Sequence, residues 1–155
     1  MKAIKKFDEF LKEKIVKKQS TDKSRAEFLI QESENSYINL LEKIQKIKIS
    51  DINANDFVKS CYDILMELIR AKMLLNGYNA SGIGAHEAEI SYMRVLEFDE
   101  NDVQFTDQIR FFRNGMLYYG TILDKDYAEK VIEFTKKIYK NLTNKIKDKT
   151  SQAGK

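Results

Sequence analysis

Two arginines three residues apart, Arg110 and Arg113, open the stretch RFFRNGMLYYG, and Asn114, Tyr118 and Tyr119 follow them. Three residues is close to one helical turn, so on a helix both guanidiniums share a face. Planar, permanently charged forks of this kind bind phosphates or carboxylates through paired hydrogen bonds. Acid–base chemistry on a bound phosphate needs such a cation for the charge that develops, and also a group that titrates near neutral pH to move a proton. A tyrosine, with an ordinary pKa of about 10, is a poor base at pH 7. The only imidazole in the chain is His86, which must reach Arg113 through space if it takes part; otherwise it is a surface or capping histidine. Arg113 and Tyr118 lie about 140° apart on a continuous helix, so they converge only if Asn114-Gly115 interrupts it or if they come from different protomers. Tyr118 could stack on a base, whereas Tyr119 falls on the apolar seam of its helix. The competing assignment for the two arginines is simple pairing with Asp107, Glu67 or Asp63.

These residues must be positioned by helices. There is no proline, and the first of six glycines is Gly77, so the first 76 residues lack the punctuation that strands and turns require. The single cysteine, Cys61, excludes an intrachain disulfide and a multi-cysteine zinc site. The single histidine excludes a His-Glu-x-x-His site, because His86-Glu87 is followed by Ile90 where the second histidine belongs. Neither a metal nor a cofactor is expected. No apolar run reaches the roughly 18 residues of a membrane span, so a cytoplasmic protein is expected. A net charge of +3 is too small to indicate nucleic-acid binding by itself, although lysines concentrate at both ends.

Spacing predicts the individual elements. Ile4, Phe7, Leu11 and Ile15 mark one face of a helix over 2–19, with lysines opposite. That basic face could lie on anionic lipid or phosphates, or simply be solvated. Ser20-Thr21-Asp22 offers a cap for a long helix over 22–49, on the seam Ala26, Ile30, Ser33, Tyr37, Leu40, Ile44 and Ile47. Residues 54–76 are apolar nearly all round and should be buried, with one polar stripe of Lys59, Asp63, Glu67 and Arg70. Those four either pair with one another or place Asp63 or Glu67 against Arg113. Gly77 ends this helix. Ser81-Gly82-Ile83-Gly84 then leads to a short helix over 85–97 with Ala88, Tyr92 and Val95 inward, and could cradle an anion or be a plain turn. A helix from about 99–101 carries Phe105, Ile109, Phe112, Met116 and Tyr119 and closes at Gly120. The last runs to about Lys147. The expectation is one all-α domain over 1–147, an up-and-down bundle of five to six helices, with a disordered tail over 148–155.

Taken in order, CYDILMELIRAKMLLNGYNASG, AHEAEISYMRVL and RFFRNGMLYYG resemble the HEPN family across about Phe57 to Leu142. The resemblance implies a helical bundle that pairs as a homodimer, with the signature Arg113 near the two-fold axis, where Arg110 and Arg113 of both chains would put four cations together. Nuclease members of that family cleave RNA without a metal and carry an Arg-Asn step with four to six residues between the Arg and a following histidine. Those positions hold Tyr118, Tyr119 and Gly120 here. Other members are non-catalytic partners of minimal nucleotidyltransferases in toxin–antitoxin pairs. The resemblance therefore implies a dimeric binding or regulatory protein, partner to a nucleotidyltransferase-type protein or to RNA, with Arg110, Arg113, Asn114 and Tyr118 at the working surface. The alternatives are a ribonuclease using Arg113 with His86 or Tyr118, and a structural homo-oligomer.

Overall fold

Among residues 3–148, which the computed structural model describes, six helices and one two-stranded sheet follow in the order α1 (Phe7–Lys12), β1 (Val16–Lys18), α2 (Lys23–Lys46), α3 (Ala54–Leu75), β2 (Tyr78–Ala80), α4 (Ala85–Val95), α5 (Glu100–Tyr118) and α6 (Lys125–Lys147). The mostly helical bundle predicted from spacing is present. The start of the first predicted helix and the tail beyond Asp148 lie outside the described residues.

The helix expected over 2–19 is replaced by six residues of helix and a strand. Its break has a clear mechanism. Lys14 takes a positive φ of 62°, Ile15 N–H donates to the Phe10 carbonyl at 3.1 Å and Lys14 N–H to Leu11 at 3.1 Å. That is a Schellman termination, the kind usually marked by glycine, built here on a lysine. The chain then runs as β1 antiparallel to β2, with Val16 opposite Ala80 and Lys18 opposite Tyr78. No sheet was expected, because neither three-residue strand carries enough alternation to be read.

α3 is the centre of the molecule. It packs most extensively along α2 and α6 and also contacts α4 and α5. Ala26 and Leu29 meet Ala71 and Leu74, Ser33 Oγ donates to the Ile64 carbonyl at 2.9 Å, and Lys43 pairs with Asp56. Positions rising along α2 thus meet positions falling along α3, so the two helices are antiparallel as the seam predicts. Asp22 caps α2 by accepting from Arg25 N–H at 3.1 Å. In α4, Ala88 and Tyr92 face inward, but Val95 is exposed and Leu96 is buried in its place. At the other end of α4 the Arg94 fork binds Glu100 and the carbonyls of Ile4 and Lys5, tying the N-terminal segment to the start of α5. No helix among the described residues is long and apolar enough to cross a membrane.

The end of α5 is set by its return loop. Tyr119 N–H and Thr121 N–H both donate to the Gly115 carbonyl, at 2.8 and 3.1 Å. Asn55 of α3 clamps the same loop, donating to Thr121 O at 2.9 Å and accepting from Leu123 N–H at 2.8 Å. The Thr121 side chain lies where a Cβ on residue 115 would stand, so only glycine fits under the loop. Gly115→Val should therefore overpack this site by about 1–3 kcal/mol. The loss corresponds to roughly 2–4 °C of Tm per kcal/mol for a chain of this size. Thermal unfolding measures it, and a Tm equal to the wild type would disprove the fit.

Candidate functional site

A groove of about 530 Å³ opens between α2, α3, α4 and α5, and it gathers most of the candidates from the sequence. Arg113, Asn114 and Tyr118 line it from α5, His86 from the first turn of α4, and Asp63, Glu67 and Arg70 from the polar stripe of α3. Arg113 and Tyr118 thus share a wall although α5 is continuous through Tyr118. Residues separated by 140° cannot touch one atom, but they can bound the two edges of a wide groove. Arg110 is not among the lining residues. It binds Asp107 at 2.6 Å, with Glu87 at 3.9 Å, and is largely buried by that pairing. Asp107 itself is only 1 % exposed, so Arg110 balances a buried charge.

Arg113 is held differently. Its guanidinium rests 5.5 Å from the ring centre of Tyr62, a cation–π distance, and Nη2 stands 3.8 Å from Asp63 Oδ1. The Nε of Arg113 is buried and has no hydrogen-bond partner. A buried donor left unmade is costly, of order 1–3 kcal/mol. Asp63 therefore does face Arg113, but at a separation too long for a hydrogen bond.

The stripe on α3 forms no ion pair with itself among the described residues. Arg70 turns instead to Glu89 of α4, a residue that spacing alone did not single out. Its Nε and Nη2 bind the two carboxylate oxygens at 2.6 and 3.0 Å. Glu89 Oε1 also receives His86 Nδ1 at 3.1 Å. Burial alone would raise the Glu89 pKa, but the hydrogen bonds from His86 and Arg70 and their charges outweigh it and hold it below the usual value. A glutamate three residues after a histidine was the available signal, since those positions are neighbours on a helix.

The free carboxylates of the groove respond in the opposite sense. Burial pushes the Asp63 pKa up, opposed by Arg113, Arg70 and His86. Glu67 is raised by burial and by its neighbours Asp63 and Glu32, with Arg70 opposing. Burial also raises the Tyr62 hydroxyl, so it stays protonated beneath the guanidinium. Near neutral pH the groove thus presents a loosely held cation, two partly desolvated carboxylates, an amide, an imidazole and an exposed phenol. Among the described residues, no group of three or more His, Cys, Asp or Glu is arranged to hold a metal ion.

Tyr118 and Tyr119 are both exposed, at 75 % and 86 %. The placement of Tyr119 on the apolar seam fails because α5 ends one residue earlier, and the ring leaves the helical register. Within that seam Ile109 is buried, and Phe105 and Phe112 pack on Phe134 and Tyr127 of α6. On α5 and its return loop the exposed large apolar residues are a different set, Phe111, Leu117, Tyr118, Tyr119 and Ile122. No family model, no curated protein and no solved structure matches this chain.

The Arg70–Glu89 fork yields a stability prediction. Removing one partner of a buried pair costs about 3–5 kcal/mol, and Glu89→Ala should fall at the lower end because the Arg70 side chain remains 25 % exposed. Since the folded pKa of Glu89 is lowered, its contribution is present above the unfolded value of about 4.3 and is lost as the pH falls through the folded one. Urea unfolding should therefore show a gap between variant and wild type that narrows as the pH is lowered from 7 to 3. An equal gap at both would refute the assignment.

Proposed function

We propose that this protein is a HEPN-like, cytoplasmic RNA-binding module, and that the groove between α3, α4 and α5 is where it takes the sugar–phosphate backbone. The observation that carries the reading is Arg113, whose Nε is buried and unpartnered and whose nearest carboxylate stands off at 3.8 Å. A phosphate oxygen can meet the exposed part of the guanidinium, whose side chain is 27 % exposed, and Asp63 competes for it only weakly. Asn114 can add a second hydrogen bond, and the exposed ring of Tyr118 offers a stacking surface for a base at the rim. Arg110, spent on Asp107, supports the wall rather than the ligand. A minimal nucleotidyltransferase-type partner, as in toxin–antitoxin pairs, remains part of this proposal through the family resemblance alone.

Titrating a labelled single-stranded RNA at low salt tests it. Arg113→Ala should weaken binding roughly tenfold or more, the loss of a charge-assisted hydrogen bond. Asp63→Asn should tighten it by roughly two- to fivefold, because a competing exposed ion pair of about 0.2–1 kcal/mol is removed. Unchanged affinity in Arg113→Ala would sink the reading.

A homodimer is proposed on the uncovered apolar residues at the end of α5 and in the following loop. Sedimentation should then give about 36 kDa, twice the 18.1 kDa chain, and Leu117→Lys with Ile122→Lys should shift it toward the monomer. A monomeric wild type at micromolar concentration would overturn this part.

The second reading, a metal-independent ribonuclease, is favoured by the presence of His86 in the same groove as Arg113. Because no imidazole follows Arg113 on α5, we expect no appreciable cleavage of RNA in EDTA. Cleavage abolished by both Arg113→Ala and His86→Ala would replace the binding reading, since a positioned general base is worth roughly 10²–10⁴ in rate.

A further inference from the structure

We propose that Glu89 is a positioning residue that fixes His86 as its Nδ1–H tautomer, leaving Nε2 as a hydrogen-bond acceptor for a ribose 2′-hydroxyl in the groove. The acceptor role rests on the RNA reading above; the tautomer does not. Four observations carry it. Glu89 Oε1 lies 3.1 Å from His86 Nδ1, and an ionised carboxylate can only accept, so the proton must sit on Nδ1. Glu89 is ionised, because it is buried at 2 % exposure against the Arg70 fork with contacts of 2.6 and 3.0 Å. Those contacts also stop the carboxylate from rotating away, so the histidine meets a fixed acceptor. Among the described residues nothing hydrogen-bonds to Nε2, while the imidazole remains 60 % exposed and lines the groove that Arg113 shares.

The chemistry that follows is specific. A free histidine side chain prefers the Nε2–H tautomer, which would present a donor to an incoming ligand. Here the preference is reversed, and whenever the ring is uncharged its Nε2 presents a lone pair. Arg113 and Asn114 offer donors, which suit phosphate oxygens, and Nε2 of His86 joins the Asn114 amide oxygen and the Ser36 and Tyr118 hydroxyls as a neutral acceptor in the groove. Asp63 and Glu67 can accept, but each carries a charge that repels the neighbouring phosphate. A neutral imidazole nitrogen accepts without that repulsion. The 2′-hydroxyl is the group that separates RNA from DNA at a given site. His86 would therefore read sugar identity while Arg113 holds the phosphate.

Because His86 is the only histidine, long-range proton–nitrogen NMR of the uniformly ¹⁵N-labelled wild type gives one imidazole to assign. At pH 8 the expected spectrum has a protonated Nδ1 and a bare Nε2; a protonated Nε2 overturns the proposal whatever the protein binds. In Glu89→Ala the acceptor for Nδ1–H is gone, so the ring should revert toward the Nε2–H form. Undiminished Nδ1–H in a folded Glu89→Ala protein would also overturn it.

The second arm compares three strands of one sequence, RNA, DNA and 2′-O-methyl RNA. The wild type should favour RNA over each of the others by roughly fivefold, the effect of one neutral hydrogen bond. His86→Phe should abolish that preference while RNA still binds through Arg113. Undiminished preference in His86→Phe refutes the acceptor role. Failure of the wild type to bind any of the three removes the RNA reading and the acceptor role with it, and the spectrum then judges the Glu89–His86 tautomer alone.

Discussion

The need to bury α3 on nearly every side organises this molecule. Of its 22 residues, 14 are buried, from Ala54 to Leu74. A helix apolar around most of its circumference has no stable exposed state, so it must be wrapped. α2 covers one side antiparallel, α6 another, and α4 and α5 close much of what remains. The wrapping is incomplete along one line, where the side chains are polar. Asp63, Glu67 and Arg70 cannot be covered by apolar neighbours without a large desolvation cost, so the enclosing helices stand back there. The groove is thus the place where the burial of α3 stops.

What happens to the charges at that edge follows from how much water each one loses. Arg70 is the most enclosed of the three and finds Glu89, whose own burial is offset by a bidentate fork and the imidazole. Asp63 and Glu67 keep more solvent; Asp63 has only the distant Arg113 for a partner, and Glu67 is repelled by Asp63 and Glu32. Arg113 enters from α5 over the Tyr62 ring, which supports the guanidinium without satisfying its Nε. Arg110, one helical turn earlier, is saturated by Asp107. Two arginines three residues apart on one helix thus have different capacities for a ligand, and the difference lies in which carboxylate each finds.

Most helices were legible in the sequence, because their seams repeat over several turns and their caps are conventional: Asp22, Gly77 and Asp124 act as their types predict. The failures share one cause, local backbone events on residues that do not advertise them. Lys14 and Glu97 take left-handed conformations usually assigned to glycine, and the first of these turns a predicted helix into a helix and a strand. Tyr119 leaves its seam because Gly115 lets the loop fold back under Asn55, a contact 66 residues distant in sequence between Asn55 and Thr121. For the site, the arginine, the stripe and His86 were visible as residues. Their assembly was not, because Glu89 sits on a helix face that looked merely charged, and it is the packing of α4 on α3 that makes it the hub.

The 140° between Arg113 and Tyr118 has a consequence for any chemistry in the groove. Both side chains line it, yet they flank the space from one continuous helix instead of meeting in it. Two groups that must act on the same phosphate and its neighbouring hydroxyl have to approach from different directions. α5 can supply only one of those directions, through Arg113. The other comes from across the groove, and the element facing α5 there is the first turn of α4, with His86 turned by Glu89. The separation on one helix and the bridge between two others thus arrive at the same arrangement. A cation is fixed to the wall of α5, an imidazole to the wall of α4, and the width of the groove sets what fits between them.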